Sequence, residues 1–182
     1  LEEKYCSLLY RVHDDPPKDK LVAFRNFSES LGLKISKSQI LKSSHFNRFI
    51  EHAGKMGIGT AIGSAVLRAQ SKAHYTNENH GHFGLALRHY CHFTSPIRRY
   101  ADLLIHRTLI STLNLGDGGC LTDQIELRQI GDHLSITEQR AVHAERDTID
   151  RFSAAFFIGK IGQQMTGVIS GVAKFGLFVS LD

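Results

Sequence analysis

Apolar residues recur at intervals of three and four over much of the chain, which predicts a series of amphipathic helices. The first series follows the Asp14-Asp15-Pro16-Pro17 segment, where Asp15 is the candidate N-cap, a proline fits the first turn and Gly32 is the stop signal. Residues 1–10 resemble the end of an earlier helix. The apolar positions of the three predicted helices are Leu21, Phe24, Phe27 and Leu31; Phe46, Phe49, Ile50 and Ala53; and Ile62, Ala65, Val66, Ala69 and Ala73.

The hydrophobic pattern becomes irregular over residues 82–93, where alternation is only partial and one or two short extended segments are expected. A helix is predicted to follow, with Thr94 or Ser95 as its N-cap and Pro96 at its first position. Its expected buried positions are Ile97, Ala101, Leu104, Ile105 and Thr108. Arg98, Asp102 and His106 share another face of the helix at four-residue spacing.

The last third of the chain changes from helical to strand-like patterning. After the flexible 116–119 connector, one long helix is predicted over residues 122–157. Its three-four repeat includes Leu127, Ile130, Leu134, Thr137, Ala141, Ala144 and Thr148. Two β-rich segments, 165–170 and 175–181, follow. The predicted fold class is therefore α+β and helix-rich.

The start of the predicted helix at Ser95 carries the most informative chemistry. Free backbone N–H groups and the positive end of the helix dipole would face an anion there. Arg98 and Arg99 are unfavourable in a first helical turn unless a polyanion offsets the repulsion. We therefore predict a phosphate site with a nucleic acid as partner. The alternative is that both arginines are surface residues paired with Asp102 on the next turn.

Composition is compatible with this hypothesis and excludes some other classes. The 182 residues carry 22 Lys and Arg against 18 Asp and Glu, so the net charge is only +4. Three scattered cysteines indicate no disulfide framework and favour a reducing cytoplasm. No segment resembles a signal peptide or a membrane span, so no membrane partner is expected. Because Leu1 is not preceded by an initiator Met, we expect a fragment.

Three other patterns favour structural explanations over chemistry. The 57–63 glycine-rich stretch follows a helical pattern instead of a strand, which favours a turn between helices over a dinucleotide loop. The histidines of residues 74–92, with Cys91 among them, lack the paired spacing of zinc sites, so hydrogen bonds to nucleic acid or turn capping are favoured over a zinc-dependent structural protein. The acidic residues of the long helix lie among arginines, as on a solvated face.

A resemblance to a known family is carried by two blocks, His82-Phe83-Gly84-Leu85-Ala86-Leu87 and His92-Phe93-Thr94-Ser95-Pro96-Ile97-Arg98-Arg99-Tyr100, followed by Asp102 and His106-Arg107. With these residues the chain resembles the ribonuclease II/ribonuclease R family of exoribonucleases. Further matches occur in the expected order at Tyr10-Arg11-Val12-His13, Leu67-Arg68, Ala73, Tyr75 and Ala144-Glu145-Arg146. Gly167-Val168-Ile169-Ser170 and Phe175-Gly176-Leu177-Phe178-Val179 resemble the first strands of an S1 domain.

The resemblance implies a domain organisation and an activity. Residues 1–160 would be the C-terminal portion of the RNB catalytic domain, and residues 161–182 the truncated start of an S1-type OB fold. The implied activity is processive 3′→5′ hydrolysis of single-stranded RNA to nucleoside 5′-monophosphates, with Mg²⁺ as cofactor. The implied partner is the 3′ end of single-stranded RNA, bound by a monomeric enzyme.

The resemblance also assigns roles to individual residues. Arg98 would contact the scissile phosphate and stabilise its developing charge. Thr94, Ser95 and Arg99 would hold neighbouring backbone phosphates, with His82 as a further RNA contact. Glu145 would lie near the terminal nucleotide and tune the grip on RNA. Phe175 and Phe178 would belong to the base-stacking platform of the S1 fold.

One departure from the family pattern limits the expected activity of this chain. The family's metal-binding Asp cluster and its base-clamping aromatic residues belong upstream of Leu1. We therefore expect this chain alone to lack hydrolytic activity. The alternative is a non-catalytic RNA-binding protein of the same fold, in which the upstream acidic cluster has decayed.

Overall fold

The computed structural model describes residues 1–4, 6–35, 42–173 and 175–181. The chain divides into two compact units, Leu1–Glu138 and Gln139–Asp182. The helices are α1 (Lys18–Ser30), α2 (Ser43–Lys55), α3 (Gly59–Ala69), α4 (Tyr100–Leu113) and α5 (Gln124–Ile158). The strands are β1 (Tyr10–Val12), β2 (His74–Thr76), β3 (Gly167–Ala173) and β4 (Gly176–Leu181). Short 3₁₀ turns occupy Glu2–Lys4 and Phe83–Leu85. This composition confirms the helix-rich α+β class.

One hydrophobic core of the first unit lies among α1, α2 and α3. Phe24, Phe46 and Ile62 are almost completely buried there, and the rings of Phe24 and Phe46 lie 5.4 Å apart. These are positions that the three-four apolar spacing predicts, because that spacing places them on one face of each helix. Gly57, with φ at +76°, turns the chain from α2 into α3, so the glycine-rich stretch is confirmed as a turn between helices.

A second core joins the small sheet to α4 and the start of α5. β1 and β2 pair antiparallel, with Arg11 opposite Tyr75. Buried residues from all these elements meet there, namely Leu9, Tyr75, Ala101, Leu104 and Leu127. This packing fixes α4 against the sheet and so determines where the first turn of α4 lies.

A glycine and a serine bring α5 unusually close to β2. A Cβ atom on Gly131 would lie only 2.9 Å from the carbonyl oxygen of Tyr75 and 3.1 Å from Leu9 Cδ1. One turn later, the Ser135 hydroxyl accepts the Tyr75 N–H at 2.9 Å and donates to the Gly131 carbonyl at 2.8 Å. The close approach therefore also satisfies a backbone donor of β2.

Several local predictions in the first unit were wrong. Residues 1–10 are not the end of a helix, because Glu2–Lys4 is the only helical segment among those of them that the structure describes, and Tyr10 already belongs to β1. Asp15 does not cap α1; Pro17 occupies the N-cap position, with no side-chain hydrogen bond. Ala73 lies beyond the end of α3, and residues 82–93 are mostly irregular around the 3₁₀ turn.

The long helix and the two final strands are confirmed, with differences in detail. In α5 the predicted stripe is buried at Leu127 and partly buried at Ile130 and Leu134, whereas Ala141 and Ala144 are exposed. β3 and β4 pair antiparallel with an irregularity between Ile169 and Gly171, and their connection is shorter than predicted. None of the helices in the described part of the chain has the length and apolar character needed to cross a membrane.

The close approach of α5 to β2 predicts that Gly131→Ala destabilises the first unit. The added methyl would meet a backbone oxygen, which cannot rotate away, so we expect a loss of about 1–3 kcal/mol in unfolding free energy. Gly63→Ala in α3 is the matched control, because nothing lies within 4 Å of its added Cβ and alanine is the better helix former by up to about 1 kcal/mol. Denaturant unfolding of both variants measures the two free energies of unfolding. A Gly131→Ala variant as stable as the wild type would contradict the close packing of α5 on β2.

Candidate functional site

The segment predicted as a helix start is a turn that precedes the helix. The N–H groups of Arg98 and Arg99 both donate to the Ser95 carbonyl, at 3.3 and 3.0 Å, and α4 begins only at Tyr100. Arg99 is the N-cap residue, with extended backbone and no side-chain cap. The predicted capping by Thr94 or Ser95, with Pro96 at the first helical position, is therefore wrong. Both arginines lie outside the first turn of the helix.

Asp102 explains why the local capping prediction failed. Its side chain is completely buried, and Oδ1 accepts the Ser95 N–H at 2.7 Å and an Arg99 guanidinium N–H at 2.9 Å. The helix therefore supplies the oxygen and the loop supplies the N–H, the reverse of N-capping. Burial alone would raise the pKa of Asp102, but the Ser95 and Arg99 donors outweigh it and hold the pKa below its usual value.

The two arginines have different environments. Arg99 forms an ion pair with Asp102, its side chain is 28% exposed, and Nη2 also lies 3.5 Å from the Thr94 hydroxyl. The Arg98 side chain is exposed, and its guanidinium forms no hydrogen bond or ion pair within the described ranges of the chain. Pairing with Asp102, the alternative considered for both arginines, is thus found for Arg99 alone. Ile97, predicted to be buried, is fully exposed because it lies in the turn.

His106 holds the other end of this loop. Its Nε2 donates to the Phe93 carbonyl at 2.7 Å, and its ring stacks on the Phe93 ring at 4.4 Å. Successive turns of α4 therefore hold Phe93 and Ser95 through His106 and Asp102. The four-residue spacing of Asp102 and His106 was visible in the sequence, but it did not indicate that both side chains bind the preceding loop.

His82 caps a turn, as one of the sequence alternatives proposed. Its Nδ1 accepts the Leu85 N–H at 3.2 Å at the start of the Phe83–Leu85 turn. His13, to which the sequence analysis gave no role, holds the same turn: the Gly84 N–H donates to His13 Nδ1 at 3.0 Å, and His13 Nε2 donates to the Ser71 carbonyl at 2.9 Å. These contacts fix the loop on which His82 lies.

A row of aromatic and imidazole rings extends from His82 toward the Ser95 loop (residues 93–99). His82 and Tyr90 lie 5.1 Å apart, Tyr90 and His92 5.8 Å, and His92 and Tyr75 5.5 Å, all edge to face. Burial lowers the pKa of His92, and the nearby Arg99 and Arg11 lower it further. Burial, followed by the neighbouring His13, lowers the pKa of His82.

Arg11 connects this row to α5. Its guanidinium forms two hydrogen bonds with the Glu138 carboxylate, at 2.6 and 2.8 Å, and lies over the Tyr75 ring at 4.7 Å. The bidentate pair leaves Arg11 occupied. Of Arg11, Arg98 and Arg99, Arg98 is thus the one whose guanidinium has no partner among the described residues and is available to an external anion.

Metal binding finds no support in the described residues. Between Leu1 and Leu181, outside residues 5, 36–41 and 174, no group of three or more His, Cys, Asp or Glu side chains could hold a metal ion. The histidines His74 and His80 lie instead near the Asp14 carboxylate, at 3.8 and 3.2 Å. These residues do not fit the Mg²⁺ ion that the family resemblance implies.

The second unit carries the remaining predicted RNA-binding residues. Glu145 is exposed on α5. Phe175 and Phe178 are 84% and 55% exposed, with ring centroids 5.8 Å apart and edge to face. The pair presents aromatic surface to solvent, with Phe175 just before β4 and Phe178 within it, where a stacking platform is predicted.

Comparison with protein families supports the motif-based resemblance. The sequence model described as "RNB domain" matches residues 1–115, which include both blocks of the resemblance and the whole Ser95 loop. Among curated relatives, Ribonuclease R of Buchnera aphidicola subsp. Schizaphis graminum is 41% identical over 96% of this chain, and Ribonuclease R of Escherichia coli is 36% identical over 96%. The chain spans only 24% and 22% of these two relatives.

Solved structures show the same similarity. The Mycoplasma genitalium RNase R in complex with ribose-methylated single-stranded RNA matches all of this chain and 29% of its own, with a TM-score of 0.85 and 31% identity. Its complex with double-stranded RNA gives a TM-score of 0.84 at 31% identity, over 33% of that chain. Yeast Ssd1, described as a pseudonuclease, matches 73% of this chain and 17% of its own with a TM-score of 0.59; at 22% identity it shows the fold alone.

The lowered pKa of His92 predicts that acid weakens the fold. Below the ordinary imidazole pKa of about 6.5, the unfolded chain takes up a proton that folded His92 resists, so stability falls as pH decreases from 7 toward 5. His92→Gln removes this titration, and we expect its unfolding midpoint to depend less on pH over that window. His133→Gln, at an exposed position of α5, is the control. An unchanged pH dependence in His92→Gln would contradict the assignment.

Proposed function

Because the chain belongs to the RNB domain family, we propose that it is part of a cytoplasmic 3′→5′ exoribonuclease acting on single-stranded RNA. The observation that carries this proposal is the match over residues 1–115, which includes the Ser95 loop with its exposed Arg98. The curated relatives named Ribonuclease R and the RNA complexes of a similar chain support RNA as the partner. We propose that this protein acts as a monomer.

The proposed reaction is hydrolysis of the last phosphodiester at the 3′ end. Water adds to phosphorus and gives up a proton, the bond from phosphorus to the 3′ oxygen of the preceding nucleotide breaks, and that oxygen takes up a proton to become the new 3′ hydroxyl as a nucleoside 5′-monophosphate leaves. The Arg98 guanidinium would donate to the non-bridging oxygens, where negative charge increases in the transition state. Mg²⁺ belongs to this proposal as a cofactor whose ligands lie outside this chain.

The neighbouring residues would hold RNA without taking part in bond cleavage. Thr94 is exposed and Ser95 is partly exposed beside Arg98, so their hydroxyls are available to adjacent phosphates. His82 would contact the RNA while its Nδ1 caps the turn. In the second unit, Glu145 would tune the grip on the terminal nucleotide. Phe175 and Phe178 would stack on bases as part of an S1 domain.

In the full-length protein, Arg98→Ala is expected to reduce kcat by on the order of a hundred- to a thousand-fold, because one donor to the transition state is lost. The dissociation constant for single-stranded RNA should increase only modestly. Arg128→Ala, at an exposed position of α5, is the matched control and should leave both values unchanged. Single-turnover release of mononucleotides and a separate binding titration measure the two effects. A large increase in the dissociation constant with kcat unchanged would show that Arg98 only holds the RNA.

A non-catalytic RNA-binding protein is the second candidate, since the same fold occurs in a protein described as a pseudonuclease. The two candidates differ in the acidic residues upstream of Leu1, where clustered aspartates would support hydrolysis. For the 182-residue chain itself, we predict that Mg²⁺ and single-stranded RNA yield no mononucleotides, because the described residues hold no metal-binding group. Chromatography of the products measures this. Steady release of mononucleotides would place a complete metal site within this chain.

A further inference from the structure

The Ser95 loop is held by α4 at two points, and Asp102 is the more deeply buried of them. Asp102 Oδ1 accepts one hydrogen bond from the backbone of Ser95 and one from the side chain of Arg99. His106 binds the Phe93 carbonyl one turn further along the helix. Between these points, the Ser95 carbonyl accepts the N–H groups of Arg98 and Arg99. Most of the polar contacts of the loop thus run through Asp102 or Ser95.

A buried carboxylate is an energetically unfavourable way to hold a loop if its only role is to stabilise the fold. Removing an ion pair from water costs several kcal/mol per charge, and an apolar replacement of similar size is often as stable or more so. The pair is also incompletely satisfied, because Asp102 Oδ2 and Arg99 Nε are buried without a hydrogen-bond partner in the described part of the chain. Stability therefore does not account for this arrangement, whereas the placement of the loop does.

The consequence of the ion pair is opposite placement of two adjacent arginines. Arg99 has extended backbone, with φ at −122° and ψ at 112°, whereas Arg98 lies in the preceding turn, where its N–H donates to the Ser95 carbonyl. With the Arg99 guanidinium held on the buried Asp102, the Arg98 side chain lies on the solvent side, where it is exposed. The Asp102 carboxylate also neutralises Arg99, so the positive charge that remains available at the loop is that of Arg98.

We infer that Asp102 is a positioning residue for hydrolysis: by binding Ser95 and Arg99, it sets the loop that presents Arg98 to the scissile phosphate. This inference rests on the proposed function of Arg98. It also assigns Arg99 a place in the support of the loop instead of a contact with an RNA phosphate. Asp102 touches neither RNA nor reacting atoms in this account, and its effect on the reaction passes through Arg98.

The test is Asp102→Asn in the full-length protein. Asn keeps the size of the side chain and an oxygen for the Ser95 N–H, but it removes the charge that holds Arg99. A misplacement of Arg98 by about 1 Å is expected to reduce kcat on the order of a hundred-fold. The dissociation constant for single-stranded RNA should change by less than about threefold, since ground-state contacts are largely kept.

Hydrogen–deuterium exchange provides a readout that does not depend on activity. In Asp102→Asn the peptide covering residues 93–99 should exchange faster, while peptides from α1 to α3 should be unchanged. Asp123→Asn is the matched control, because the Asp123 carboxylate also accepts a backbone N–H, that of Glu126 at 2.9 Å, but lies at the start of α5. It should leave kcat and the exchange of residues 93–99 unchanged.

The outcomes separate this inference from the proposed function. If Arg98→Ala leaves kcat unchanged, the proposed function fails. If Arg98→Ala abolishes hydrolysis but Asp102→Asn has wild-type kcat per folded molecule, only the inference about Asp102 fails. Should Asp102→Asn not fold, the double variant Arg99→Gln with Asp102→Asn removes both charges and leaves no unpaired one. It should fold with the same loss of kcat, and wild-type kcat in this variant would overturn the inference.

Discussion

The buried carboxylate of Asp102 is the interaction on which the candidate site depends. It lies in the first turn of α4, beside Ala101, and the same helix packs Leu104 into the core that contains Tyr75 of β2. The position of the carboxylate is therefore fixed by hydrophobic packing, and the loop adapts to it by donating the Ser95 N–H and the Arg99 guanidinium. Packing in the core thus determines the conformation of an exposed, charged loop.

The helices of the first unit were predictable because burial imposes a period on the sequence. Phe24, Phe46 and Ile62 repeat with their neighbours at three and four residues, and each is buried where that spacing places it. The length of α5 was predictable from the same three-four repeat. The burial of its second half was not, because exposed Ala141 and Ala144 have the same periodicity as buried residues and periodicity does not specify a packing partner.

The start of α4 was not predictable from local rules. Ser95 followed by Pro96 has the sequence of a capped helix start, and local capping preferences are worth only about 1 kcal/mol. Leaving the buried Asp102 carboxylate without partners would cost several kcal/mol, which is more than a cap contributes. The Ser95 N–H and the Arg99 guanidinium therefore bind Asp102, and the helix begins five residues after Ser95. The phosphate hypothesis was reached through a helix dipole acting on Arg98 and Arg99, a premise that the structure removes. The phosphate hypothesis now depends on the exposed guanidinium of Arg98, which has no partner among the described residues.

The contacts of Gly131 and Ser135 with Tyr75 show a further limit of sequence analysis. A glycine inside a helix usually lowers helix stability. Here the absence of a side chain at Gly131 allows the backbone of β2 to lie against α5. Such a role depends on a segment more than fifty residues away, which no local pattern contains. The family resemblance predicted RNA contacts for both Arg98 and Arg99, while the different environments of the two arginines became visible only in the three-dimensional arrangement.

The proposal that Arg98 binds RNA phosphate while Arg99 supports the loop is tested most directly by the salt dependence of RNA binding. The measurement compares Arg98→Ala and Arg99→Ala with wild type. Each arginine that binds a phosphate of single-stranded RNA contributes about 0.7 to the slope of log affinity against log salt concentration. The account predicts that Arg98→Ala reduces the magnitude of the slope by about 0.7, while Arg99→Ala leaves it unchanged. A reduced slope in Arg99→Ala, with an unchanged slope in Arg98→Ala, would contradict it.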